Sequence, residues 1–243
     1  MKYVIIHYNT PALTRCLIYS LFKNGIMKDI VVFENSNAMP LHGLTKNTNI
    51  HTFHNETGDI IDFAYEVKKF IHDCKIPQSK LDLEAKCANF GSFKHALTVE
   101  WLIQHLCDDF FLLDSDILIK QDFSYLADNT KVFVGGTTQY RVLPFLLYLN
   151  PELLNHYKIH FCDRVRIHPN IRNWNTDTGG SFWTDCQATH APHTIINLDD
   201  FIVHYGSGSW RSTCKSQASY QGDFKTLSSA EWLLMHKHLF SNS

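Results

Sequence analysis

Phe110-Phe111-Leu112-Leu113-Asp114-Ser115-Asp116-Ile117-Leu118 is an apolar run broken by two carboxylates one residue apart. Apolar side chains at every position from 110 to 113 read as a central strand buried on both faces of a sheet. Such a strand delivers Asp114 and Asp116 to the edge where open α/β sheets bind ligands. Two acids held there repel each other unless a cation neutralises them. Mg²⁺ or Mn²⁺, hard ions that prefer oxygen ligands, would do so and could at the same time bridge a diphosphate. The plainer alternative is a turn or helix N-cap, which aspartate and serine also favour.

Working outward, the segments on either side alternate between strand and helix patterns. Tyr3-Val4-Ile5-Ile6 is a β-branched run stopped by His7-Tyr8-Asn9-Thr10-Pro11. Leu13, Cys16, Leu17 and Leu21 recur at helical spacing until Asn24-Gly25, and Ile30-Val31-Val32-Phe33 starts a second strand. Ile50-His51-Thr52-Phe53 is a short third strand. An apolar stripe of Ile60, Ile61, Ala64, Val67, Phe70 and Ile71 predicts a helix over 59–73, followed by a loop over 74–86. A further helix is expected over 92–105, leading into the central strand. Beyond Lys120 the alternation weakens: Val132-Phe133-Val134 reads as a strand, 143–148 is apolar, and 150–157 reads as a helix. The expectation is an α/β fold with a mainly parallel central sheet flanked by helices, in one domain over 1–243.

Composition limits the partners. A net charge of −2 gives no general field for collecting nucleic acid or an anionic membrane. Seven scattered cysteines without a CxxC pair fit a reduced, cytoplasmic setting. The opening apolar run is too short for a signal peptide, and no stretch approaches the roughly 20 apolar residues of a membrane span.

The order of these segments resembles the GT-A glycosyltransferases, in particular the family 2-like bacterial enzymes of glycan assembly. Val4 to Pro11 looks like their opening strand and nucleotide loop, and Ile30 to Ser36 like their second strand ending in an acid. Asn89-Phe90-Gly91-Ser92-Phe93-Lys94-His95-Ala96 is similar to their helix entry, and Leu112 to Asp116 to their DxD metal strand. The likeness covers the first half well. It implies a Rossmann-like GT-A fold in which residues 1–120 bind a nucleotide-sugar, a UDP-sugar first of all, and 121–243 shape the acceptor side. It also implies Mn²⁺ or Mg²⁺ as cofactor and an inverting reaction on a glycan or lipid-linked glycan. A lipid-linked acceptor would bring the enzyme to the inner membrane face as a peripheral protein.

The candidate residues follow from chemistry and resemblance together. Tyr8 can stack on a base, Asn9 can bond its edge, and Glu34 can accept from uracil or ribose hydroxyls. Gly91 with Ser92 at a helix start offers backbone N–H groups to a phosphate, and Lys94 or His95 could add a positive charge. Asp114, Ser115 and Asp116 form the cation and phosphate edge. The Gly-rich stretch Asn175 to Ser181, flanked by aromatics, can set a base beside an acceptor hydroxyl. Asp177 is the expected base and Asp185 the second choice. His204, preceding Tyr205-Gly206-Ser207-Gly208, looks like the family's C-terminal histidine completing the metal shell, and Arg211 could clamp phosphate. Arg141 to Phe145 looks like the family's acceptor-side segment, although packing alone would explain its apolar residues. His156/His160 lack a glutamate at the second position and His190/His193 and His236/His238 have no supporting acids, so all are read as surface or core histidines.

Two other function classes fit these residues less well. A non-catalytic nucleotide-sugar or glycan-binding module would not need paired acids. A nucleotidyltransferase would need a Gly-rich basic loop after the first strand, which His7-Tyr8-Asn9-Thr10-Pro11 is not.

Overall fold

The computed structural model describes residues 1–8, 10–27, 29–36, 41, 49–73, 90–161 and 178–204. Its centre is a seven-stranded sheet. In chain order the elements are β1 (Lys2–His7), α1 (Pro11–Lys23), β2 (Ile30–Glu34), β3 (Ile50–His54), α2 (Phe63–Asp73), α3 (Phe90–Leu106) and β4 (Phe110–Asp114). These are followed by β5 (Ile117–Ile119), β6 (Phe133–Thr137), β7 (Val142–Leu149), α4 (Pro151–Tyr157), α5 (Gly180–Thr189), β8 (His193–Ile195) and β9 (Ile202–His204). The large sheet runs β3-β2-β1-β4-β7-β6-β8, while β5 and β9 form a separate two-stranded ribbon.

β3, β2, β1 and β4 are all parallel to one another, as strands joined by helical crossovers should be. The second half departs from that pattern: β7 is antiparallel to both β4 and β6, and only β8 is again parallel to its neighbour. β7 is also the reason that the apolar stretch 143–148 showed no helix-strand alternation, since it inserts beside β4 from the opposite direction.

The central strands explain their own composition. Phe110 and Leu112 belong to an apolar cluster with Val99, Leu102 and Ile103 of α3. Phe111 and Leu113 belong to another, with Leu17, Ile18 and Leu21 of α1. Alternate residues of β4 thus feed opposite faces, and all four are fully buried.

One boundary differs from the sequence reading. α2 starts at Phe63 rather than near residue 59, because the preceding residues are tied into a turn. Asn55 Oδ1 accepts from the N–H groups of both Ile60 and Ile61, and Asp62 Oδ1 accepts from Tyr65 N–H at the helix start. Among the described residues, no helix is long and apolar enough to cross a membrane.

Candidate functional site

The parallel half of the sheet brings the ends of β1, β2 and β4 side by side. Ile6 pairs with Asp114 and His7 with Glu34, so Tyr8, Glu34 and Asp114 all lie at the carboxyl edge of the strands. Past Asp114 the chain turns at Ser115-Asp116 and enters β5. The antiparallel ribbon pairs Ile117 with His204, which sets the histidine next to the acids although it is distant in sequence. Lys120 N–H donating to Phe201 O at 2.7 Å extends this pairing.

Asp114, Asp116 and His204 each present a ligand atom within 4.8 Å of the others. His204 Nε2 is 3.3 Å from Asp116 Oδ1. Burial and the neighbouring charge of Asp116 hold the Asp114 carboxyl well above the usual carboxylate range, while the Ser115 N–H donating to it at 2.8 Å acts the other way. The cluster is therefore short of positive charge. Two carboxylates and an imidazole are a donor set suited to a divalent ion that takes oxygen and nitrogen ligands, and such an ion would relieve the repulsion.

Ser115 is buried, with its hydroxyl 3.0 Å from that of Thr10. Thr10 is the N-cap of α1, yet its side chain makes no capping bond. The hydroxyl contact instead fastens the acid-bearing turn to the start of that helix, where Pro11 needs no N–H partner.

The other candidates take varied positions. Tyr8 is exposed at the strand edge, as base stacking would require. Glu34 is buried, and its two carboxylate oxygens accept from Ser36 N–H and Leu41 N–H at 2.8 Å each, so it also ties Leu41 to the end of β2. Lys94 Nζ lies 5.6 Å from the centre of the Phe63 ring, a cation–π contact with α2. Gly91 is the second residue of α3. Asp185 is buried within α5, where burial above all, and then the charge of Asp185, raises the Cys186 thiol, and it is not part of the acid–histidine group. Asn9, Asp177 and Arg211 lie outside the described residues.

His95 corrects its sequence reading. Burial pushes its imidazole down to about 4, against the opposing pull of Asp116, so it is neutral near pH 7 and offers no positive charge. Both ring nitrogens are buried and without a hydrogen-bond partner among the described residues. Its place on a helix did not reveal this, because desolvation is set by what packs over the ring.

Glu34 supports a pH prediction. Burial pushes its carboxyl up to about 7, above an unfolded value near 4.5, with backbone bonds from Leu41 and Ser36 opposing. The folded protein then binds the proton more tightly than the unfolded chain between those values. Stability from this group should fall by about 1–3 kcal/mol as pH rises through that window. Urea denaturation at pH 5 and pH 8 should show this loss, and Glu34→Gln should flatten it. Parallel profiles for the two proteins would refute the assignment.

No protein-family model matches the chain, and no curated protein sequence matches it. Solved structures do. The bifunctional glycosyltransferase WbbM is 11% identical with a TM-score of 0.46, over 82% of this chain and 39% of that one. GlyE from Streptococcus pneumoniae TIGR4 is 10% identical at 0.48, over 100% and 64%. The galactosyltransferase LgtC, solved with donor and acceptor sugar analogs, is 12% identical at 0.40, over 82% and 74%. The chain thus spans well under half of WbbM and just under two thirds of GlyE. All three are glycosyltransferases by name, at similarities low enough that the site residues must decide the function.

Proposed function

We propose that this chain is a metal-dependent glycosyltransferase that moves a sugar from a nucleotide diphosphate donor, a UDP-sugar first of all, to a glycan acceptor with inversion. The observation that carries the reading is the convergence of Asp114, Asp116 and His204 at the carboxyl edge of parallel strands. A pure binding module has no need of a closely set acid pair that repels itself when no cation is present.

In this reading Asp114, Asp116 and His204 hold Mn²⁺ or Mg²⁺, which supplies Lewis-acid stabilisation of the nucleotide diphosphate leaving group. Tyr8 and Asn9 bind the base, with Glu34 beside the ribose. The N–H groups around Gly91, with Lys94 and Arg211, face phosphate. Asp177 takes the acceptor proton, and Asp185 stands second because it is buried in mid-helix. Residues 1–120 bind the donor and 121–243 the acceptor. Most of the rate would come from positioning and charge stabilisation.

The test is release of free nucleotide from a panel of UDP- and GDP-sugars with Mn²⁺, Mg²⁺ or EDTA. Turnover of one donor, abolished by EDTA, is the expected result. Metal-dependent nucleotide binding without turnover, with or without glycan acceptors, would favour the binding-module alternative. No turnover together with no metal-dependent nucleotide binding would overturn both.

A further inference from the structure

His204 is the last residue of a three-residue strand, and its side chain is 27% exposed. The backbone pairing with Ile117 places its Cα but does not choose its rotamer. A ligand histidine on so short an element needs something else to fix its ring. The structure supplies it: the Phe145 ring lies against the His204 imidazole, centroids 3.8 Å apart and planes 22° apart.

Phe145 is well placed to serve as a platform. It lies on β7, an inner strand of the large sheet, and packs half-buried against the apolar cluster that includes Leu146 and Ile202. The last residue pair between β4 and β7 is Leu113 with Leu146, so Asp114 and Phe145 are the next residue along each strand. The acids reach this point from β4, the imidazole from β9 and the aromatic ring from β7. A ring held from the sheet side restricts the imidazole to orientations in which Nε2 keeps its approach to Asp116.

We infer that Phe145 is a positioning residue for the metal site: by stacking on His204 it holds the imidazole ready to ligate, and thereby sets cation affinity. The inference rests on the metal-site reading above. It assigns Phe145 a task that shape-filling does not, because a branched aliphatic residue could fill the space without holding the ring plane.

The experiment is Mn²⁺ titration, with and without UDP, followed by the electron paramagnetic resonance signal of free Mn²⁺. It compares wild type, Phe145→Leu, Phe145→Trp, His204→Ala and the Phe145→Leu/His204→Ala double variant. Phe145→Leu keeps the apolar anchor and should weaken Mn²⁺ binding about tenfold, whereas Phe145→Trp should restore most of it. In the His204→Ala background Phe145→Leu should have no further effect, because its influence passes through the imidazole. Equal affinity in wild type and Phe145→Leu, or the same loss with and without His204, would overturn the inference while leaving the metal site intact. Absence of Mn²⁺ binding by wild type under both conditions would overturn the metal-site reading and this inference with it. Urea midpoints for each variant separate loss of fold from loss of affinity.

Discussion

Asp116→Ala is expected to reduce metal-dependent nucleotide release by about 10³-fold or more, while leaving the metal-free protein as stable as wild type or more so. On the metal-site reading, the activity loss follows from removing one of two carboxylates that would share a cation. Loss of a single preorganised electrostatic group at a developing charge costs about 10²–10³ in rate, and loss of the cation itself adds to this. The stability change has the opposite sign because, after burial, the charge of Asp116 is what raises the proton affinity of the half-buried Asp114, as repulsion between the two would. With Asp116 gone, Asp114 has one fewer adverse charge to face. The measurements are turnover of the preferred donor with Mn²⁺ and thermal melting in EDTA. A variant that keeps a tenth or more of wild-type turnover would show that these acids are not the centre of the chemistry. A large drop in the EDTA melting midpoint would show that Asp116 acts mainly in holding the fold.

Gly179→Ala should be among the most damaging single substitutions in the described residues. Gly179 caps α5 with φ at +88°, and a Cβ there would lie 2.2 Å from the carbonyl oxygen of Val142. That oxygen belongs to the first residue of β7, whose own N–H donates to Gly179 O at 3.1 Å, so the two backbones cannot separate without losing the bond. The left-handed conformation and the collision with backbone act together, and the expected cost is about 3–5 kcal/mol. It should be read from urea denaturation, with Gly25→Ala as the comparison. Gly25 also has positive φ, at +83°, but its Cβ would meet nothing within 4 Å, so that variant isolates the conformational term. Equal costs for the two would mean that the close approach of α5 to β7 does not exist in solution.

Much of the parallel half was legible because each segment carries its own signal. β1, β2 and β4 are uninterrupted apolar runs, and their helices show period-3.6 stripes, so periodicity alone separates the two. The start of α2 was misplaced because Asn55 and Asp62 capture the backbone N–H groups of 60, 61 and 65, and side-chain capture of that kind does not alter the hydrophobic stripe. α5 was hidden for another reason: its first residues, Gly180 and Ser181, read as loop, yet both are buried and Ser181 Oγ donates to Phe161 O at 3.1 Å. Phe145 read as part of an acceptor-side segment or as packing, because an aromatic residue on a strand has the same local signal whether it fills a core or supports a ligand.

The sequence by itself determined that a buried strand ends in paired acids, that strands and helices alternate up to that strand, and that His204 stands before a Gly/Ser-rich stretch. These are local properties, written in the order of apolar and polar residues, and they need no knowledge of which segments meet. Tertiary structure decided the rest: that β9 pairs with β5 and so sets His204 beside Asp116, that Phe145 stacks on that imidazole, and that His95 is neutral. Each of these depends on which surfaces face one another across the chain. Strand register between distant segments and the desolvation of a side chain are both fixed by packing, after the local elements have formed.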